Sequence, residues 1–598
     1  MALSLKHSPL GYFKYFYASL GNRLLFNIVL SVFLGLLDGL GLALFIPLLQ
    51  FVNEGTHAAN ANAMGGMAFV IDSFSWVGVP LNLTSVLGFM VVVFVAKGLL
   101  NYWLSMEQVD LRQEYMISLR MKQIGDLDAL GYQGFLKLDA GRIQNAVTAE
   151  IGKNIQAMIS FLGTLKSLIV LIAYVALAFV ANWQFAFFII AGGYLSNFIY
   201  SRITESVKTT SIEISRRGNL FSSYIIQAIH SFKYLKATNY FVKFSDKLRD
   251  VIDEVVALNR KIGKSQAVTG STREPVIIFI VAIVIIAQVN IMGASLGSIL
   301  LSLLLFYRAL NGLVLVQMSW QGFMQNIGGL QSISDLKVLM YDEREIQNTT
   351  PFNGFSKGIE LRNLNFSYGA NKNVLSNVNM VIPKNKTVAF VGESGSGKST
   401  LANVITTLLK TNDGELLVDG ENIYNYSQDS FRGHIGYISQ DPVVFSDSLF
   451  NNITFWAKPT PENVERFWSV IQKVSLVDFV ENLEHKEETV LGDNGILVSG
   501  GQKQRISIAR ELYKKADILI LDEATSALDS QTERFIQDSI DELQGEYTMI
   551  VIAHRLSTIK NADVIYLLDK GEISAFGSYD ELLTISDRFK KMVSLQHV

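Results

Sequence analysis

Hydrophobic positions are spread very unevenly along this chain. Up to Val316 they gather into six long runs, roughly 24–50, 85–105, 157–181, 183–201, 275–291 and 294–316, and beyond that point no long run recurs. About 20 mostly apolar residues reach across ~30 Å of hydrocarbon, so each run predicts a membrane-spanning helix. Only a turn near Asn182 parts the third run from the fourth, and a short turn near Gly293 parts the fifth from the sixth, which predicts two tight hairpins. The first run is too long, and too far from any Ala-x-Ala site, to be a cleaved signal peptide. Two intervening stretches, about 106–156 and 202–272, are mixed in charge and nearly free of proline. Loops of that length rarely lack structure, so they predict helices that continue well past the bilayer. From about Gly358 the pattern changes to short β-like runs, turns and polar helices, the texture of a soluble α/β domain. The expected division is therefore a membrane domain over 1–340, a linker over 341–357 and a soluble domain over 358–598.

Composition agrees with the pattern. Of the 598 residues 49% are hydrophobic and 18% charged, below the ~25% charge of ordinary soluble chains. A net charge of −3 gives no global field that would attract nucleic acid, and none is expected as a partner. The absence of cysteine excludes disulfides, thiolate zinc sites and cysteine nucleophiles. With 37 Phe and 22 Tyr the chain is not intrinsically disordered. The basic residues set an orientation. Segment 53–84 and the turns near Asn182 and Gly293 lack Lys and Arg. Lys6, Lys14 and Arg23, then Arg112 to Lys153 and the dense set from Arg202 to Arg273, fall on the other side. By the excess of basic residues on cytoplasmic loops, both termini and both long loops are expected in the cytosol. The external run Met67–Val77 is apolar but too short to span; it reads equally as a helix lying in the interface or as a packed external loop.

The chemistry lies in the soluble half. A strand, Thr387–Val391, leads straight into Gly392-Glu393-Ser394-Gly395-Ser396-Gly397-Lys398-Ser399-Thr400 and a helical pattern, the G-x-x-x-x-G-K-[ST] phosphate loop in its strand–loop–helix setting. Glycines let backbone N–H groups curl round phosphate, and the helix N-terminus adds positive potential. Lys398 is placed to reach the β- and γ-phosphates and the Ser399 hydroxyl to ligate Mg²⁺. A second apolar strand, Ile518–Leu521, ends in Asp522-Glu523. A carboxylate at such a strand tip fits the second Mg²⁺-holding element of these NTPases, and Glu523 is placed to polarise the attacking water.

With these residues in view, 358–598 resembles the nucleotide-binding domain of ABC ATPases. Val498-Ser499-Gly500-Gly501-Gln502 stands where that family carries its L-S-G-G-Q signature, with Val498 for the usual Leu. Gln440, after Ile435-Gly436-Tyr437-Ile438-Ser439, matches the Q-loop; His554 matches the switch histidine; Tyr368 matches the aromatic that stacks on adenine; Gly492–Gly495 sits where exporters carry a coupling segment. The resemblance implies that two ATPs lie between two such domains, the Lys398 loop of one facing the Ser499–Gln502 signature of the other. One chain then needs a second copy, a homodimer. It further implies that Gln440 senses metal and water and that His554 contacts the γ-phosphate. The whole chain resembles an ABC exporter half-transporter of the type IV fold: a polytopic α-helical membrane domain of six transmembrane helices with long cytosolic extensions, fused to an α/β P-loop ABC ATPase domain. The tips near Gly134 and Ser231 become candidate coupling helices. ATP and Mg²⁺ are the implied cofactors.

The cargo is less plainly written. Ionisable residues within the runs are Asp38, Lys97, Lys166 and Arg308, and such residues are costly in lipid and functional by default. Arg308 and Lys97 suit a phosphate-bearing lipid headgroup; the alternative is pairing with an acid such as Asp38, or snorkelling. For Lys166, nearer a helix end, pairing or snorkelling is the expectation. The run Leu36-Leu37-Asp38-Gly39 onward to Pro47 resembles the acid-x-x-Gly…Pro pattern of PglK-type flippases, which implies a lipid-linked oligosaccharide moved across a bacterial inner membrane. A multidrug, other lipid or peptide exporter is the alternative.

Overall fold

The computed structural model describes residues 8–45, 48, 78, 82–181, 183–286, 296–345, 348–369, 373–522, 537–538, 540–553 and 556–596. It contains two compact units, Met1–Leu130 with Gly134–Arg344, and Glu345–Val598 with Gly131–Gln133. The expected external segment 67–77, the turns near Asn182 and Gly293, and both Glu523 and His554 lie outside the described residues.

The first unit is helical. Its elements are α1 (Pro9–Leu20), α2 (Asn22–Ala43), α3 (Leu83–Asp128), α4 (Ala140–Val147), α5 (Ala149–Ala181), α6 (Trp183–His230), α7 (Phe232–Ala237), α8 (Phe241–Ile286) and α9 (Leu296–Asp342). Local signals start and stop them. Ser8 caps α1 by accepting from the Gly11 N–H at 3.1 Å, with Pro9 at the first helical position. Asn82 caps α3 by accepting from the Ser85 N–H at 2.8 Å. Helices α3, α6, α8 and α9 run 46, 48, 46 and 47 residues. At 1.5 Å per residue each is about 70 Å long, more than twice the ~30 Å hydrocarbon thickness, so their polar ends must leave the bilayer. Among the described residues four helices, Asn22–Ala43, Leu83–Asp128, Ala149–Val180 and Phe241–Ile286, are long and apolar enough to cross a membrane. The fourth and sixth expected runs fall in α6 and α9.

An aromatic knot gathers the α1, α3, α5 and α9 faces: Tyr12 meets Phe323 edge-on at 4.9 Å and Phe16 lies 5.0 Å from Phe161, ring centre to ring centre. Further along, Glu150 is wholly buried, yet its carboxylate accepts from Ser215 Oγ at 2.8 Å, Lys153 Nζ at 2.8 Å and Asn145 Nδ2 at 3.1 Å. Those bonds offset the cost of removing a charge from water. By contrast Val91, Val92, Leu99 and Trp103 on α3 are exposed, as a lipid-facing surface requires.

The second unit is α/β. A four-stranded antiparallel sheet is ordered β2 (Leu375–Pro383), β1 (Gly358–Phe366), β4 (Asp413–Val418), β5 (Glu421–Asn422). A six-stranded sheet runs β10 (Glu572–Gly577), β9 (Val564–Asp569), β3 (Thr387–Val391), β8 (Thr548–Ile552), β7 (Ile518–Asp522), β6 (Ile435–Ile438). Strands β9, β3, β8, β7 and β6 are mutually parallel and β10 alone is antiparallel. Strands β3 and β8 are buried at every position, which explains their unbroken apolar runs. The register sets Phe390 beside Ile552, Ile552 beside Asp522 and Leu521 beside Ile438. The carboxyl ends of β3, β8, β7 and β6 therefore share one edge, where ligands of open α/β sheets bind.

Candidate nucleotide site and membrane cleft

The phosphate loop leaves that edge after Val391. A Cβ on Gly392 would run into the Leu568 carbonyl oxygen, so the strand can pass there only as glycine. Gly397, at φ 105°, caps helix α10 (Lys398–Ile405) in the left-handed region, and a Cβ there would meet Leu375 Cδ2 at 2.8 Å. Lys398 is buried, 5% exposed, and its Nζ turns back on the loop, donating to the Gly392 carbonyl at 2.9 Å and the Glu393 carbonyl at 3.0 Å. The loop is thus wrapped around its own cation. Ser396 Oγ is buried with no hydrogen-bond partner among the described residues. An orphaned hydroxyl inside a glycine-curled loop, beside a cation bonded to two of the loop's carbonyls, fits a phosphate chain. Ser394, Gly395 and Ser399 are exposed along the same loop, and Thr400 Oγ1 lies 3.3 Å from the Tyr368 hydroxyl. Tyr368 follows β1, is 44% exposed and stands edge-on to Phe366 at 4.9 Å, leaving its ring open to stack on a base.

Asp522 closes β7 on the same edge and accepts a hydrogen bond from the Tyr437 hydroxyl at 2.8 Å. Burial, reinforced by that carboxylate, pushes the Tyr437 phenol well above its usual range, so it remains a donor. Gln440 is exposed just beyond β6. Asp522, Ser399 and Gln440 offer oxygen donors at this edge, a set suited to a hard cation such as Mg²⁺.

The signature lies on a different surface. Ser499 caps α11 (Gly500–Lys514) through a capping box: its Oγ accepts from the Gln502 N–H at 3.3 Å while its own N–H donates to Gln502 Oε1 at 2.7 Å. Ser499 and Gly500 are exposed, and no hydrogen bond joins Ser499–Gln502 to the Gly392–Thr400 loop among the described residues. Ile496 and Leu497 immediately before it are 80% and 69% exposed. An uncovered helix N-terminus beside bare apolar residues is a surface suited to contact with another molecule.

In the helical unit the intramembrane ionisable residues converge. Asp38 forms an ion pair with Lys97 and accepts from the Tyr174 hydroxyl at 2.5 Å. Lys166 Nζ donates to Asn101 Oδ1 at 3.1 Å. These residues and Arg308 line one cleft of about 530 Å³. Arg308 makes no hydrogen bond or ion pair among the described residues. Lys97 thus takes the acid partner that was the alternative to a ligand, whereas neither Lys166 nor Arg308 is ion-paired to a carboxylate among the described residues. The expected pairing of Lys166 is met by the Asn101 amide rather than by an acid, and helix packing brings the residue to the cleft.

A phosphate loop, a strand-end carboxylate on the same edge and an exposed signature on one α/β unit, with bilayer-length helices in the other, define a membrane-bound P-loop ATP-binding protein. A family model described as ABC transporter matches residues 375–526. A heterocyst differentiation ATP-binding protein, HepA, of a Nostoc species is 31% identical over 497 residues, covering 80% of this chain and 78% of that protein. The ATP-dependent lipid A-core flippase of Haemophilus influenzae is 39% identical over 322 residues, 54% of either chain, so this chain spans about half the length of that relative. The flippase of Syntrophus aciditrophicus is 29% identical over 516 residues, covering 85% and 84%. A solved bacterial Atm1-family ABC exporter with ATP bound superposes with a TM-score of 0.79 at 21% identity, covering 96% of this chain and 98% of that one. The chain belongs to the ABC transporter family and has the exporter fold, with one membrane unit and one ATPase unit in the half-transporter arrangement.

Proposed function

We propose that this protein uses ATP hydrolysis to flip an anionic, glycan-bearing lipid, a lipid-linked oligosaccharide foremost, across a bacterial inner membrane, acting as a homodimer with both termini and the ATPase units in the cytosol. Lys398, the loop N–H groups and Ser396 bind and orient the triphosphate, and Tyr368 supports the adenine. Asp522 and Ser399, with Gln440, hold Mg²⁺, which supplies charge neutralisation of the phosphates. Glu523 orients and deprotonates the attacking water, and His554 steadies the γ-phosphate. The exposed Ser499–Gln502 terminus supports the homodimer: it presents phosphate-binding N–H groups where its own unit has no phosphate loop bonded to it.

One observation carries the substrate reading. A cleft in the membrane unit gathers Lys97, Lys166 and Arg308 against the single carboxylate of Asp38. Excess cations in a low-dielectric setting demand an anion, and a diphosphate or phosphate headgroup supplies one. The relatives' names, lipid A-core flippases, favour a second member of the same chemical class. Substrate-stimulated ATPase in nanodiscs separates them. Polyprenyl-diphosphate oligosaccharide is expected to stimulate more than lipid A-core, and either more than a cationic drug. Since hydrogen bonds to charged groups contribute about 1.5–3 kcal/mol, Arg308→Ala is expected to raise the stimulating concentration about tenfold or more with basal hydrolysis intact. Stimulation by the drug alone contradicts the lipid reading.

A further inference from the structure

Tyr437 belongs to no part of the nucleotide machinery assigned above by motif, yet it is the residue that touches Asp522. It sits in β6, whose parallel pairing with β7 sets Tyr437 beside Ile520, two residues before Asp522. From that position its hydroxyl reaches Asp522 Oδ2 at 2.8 Å. Among the described residues this is the one hydrogen bond that the Asp522 side chain makes. A phenol is protonated at neutral pH and here donates, so one carboxylate oxygen is fixed and Oδ1 is left for a cation. Without the phenol, the Asp522 side chain would be free to rotate about its terminal torsion, which is broad and roughly two-fold. Gln440, the residue expected to sense metal and water, follows Tyr437 by three positions on the same strand exit. Movement of that exit is therefore felt at Asp522 through the phenol.

We propose that Tyr437 is a positioning residue for the metal site: by holding Asp522 Oδ2 it presets the carboxylate for Mg²⁺ and ties that carboxylate to the β6 segment leading into Gln440. This rests on the reading that Asp522 holds Mg²⁺. Groups that hydrogen-bond a metal-ligating side chain set its orientation, and their removal typically costs 10–100-fold in metal affinity.

The test uses full-length protein in nanodiscs and a non-hydrolysable ATP analogue, with Mn²⁺ followed by electron paramagnetic resonance. Tyr437→Phe keeps the ring and removes only the hydroxyl. The Mn²⁺ half-saturation is expected to rise at least tenfold, while metal-free affinity for the analogue stays at the wild-type value. Asp522→Asn serves as the reference. If Asp522→Asn weakens Mn²⁺ binding and Tyr437→Phe does not, the positioning role is overturned while the metal reading stands. If neither moves it, Asp522 does not hold the metal and the proposal falls with that reading. Equal losses with and without metal in Tyr437→Phe would also overturn it, because they would mark a structural residue.

Discussion

Single residues carry the chemistry, and they differ in how openly the sequence displays them. Lys398 is legible because a loop that binds phosphate needs glycines, a cation and a hydroxyl at fixed neighbouring positions. Its burial and its bonds to the Gly392 and Glu393 carbonyls explain why the cation is ready without being exposed. Phosphate must displace those carbonyls, and a charge is lost outright in Lys398→Ala. That variant is expected to weaken ATP binding by tenfold or more in a fluorescent-nucleotide titration, the scale of one charge-assisted contact of about 1.5–3 kcal/mol; unchanged affinity would refute the role. The pairs Tyr437–Asp522 and Lys97–Asp38 are of another kind. Their partners stand 85 and 59 positions apart, so strand register and helix packing, neither readable from local pattern, decide who meets whom.

At the scale of elements, pattern and structure agree where local physics dominates. Continuous apolar runs predict β3 and β7, and both are buried strands because parallel strands are covered on two faces. The mixed-charge stretches after the second and fourth runs are helical, broken near Asp128 and His230 where the expected tips lie. The helix after the phosphate loop depends on Gly397, whose φ of 105° no side chain adopts readily and whose Cβ position is occupied by Leu375. Gly397→Ala is therefore expected to cost about 1–3 kcal/mol through strain alone, read as a lowered Tm of the full chain together with weaker nucleotide binding. A wild-type Tm would contradict the conformational requirement. The α11 signature helix is self-capped by Ser499 and Gln502, so its exposed N-terminus is preformed rather than induced.

For the whole molecule, a composition short of charge and an asymmetric basic distribution already point to a membrane protein, and the change of pattern near Gly358 to an attached α/β domain. Family membership and fold follow from similarity along most of the chain. What pattern alone could not give is the cleft, because Asp38, Lys97, Lys166 and Arg308 sit on four different helices and are polar only relative to the lipid around them. In the proposed function, nucleotide binding across two copies would shift the population of membrane-unit conformations by no more than the difference in ATP affinity between them. The direct measurement is ATP-dependent translocation of a fluorescent polyprenyl-diphosphate oligosaccharide in proteoliposomes, with Glu523→Gln as the hydrolysis-dead comparison. Wild type is expected to move the lipid only with Mg-ATP, and Glu523→Gln to bind ATP yet move none. Hydrolysis by wild type with no lipid moved, or equal movement by Glu523→Gln, would contradict the account.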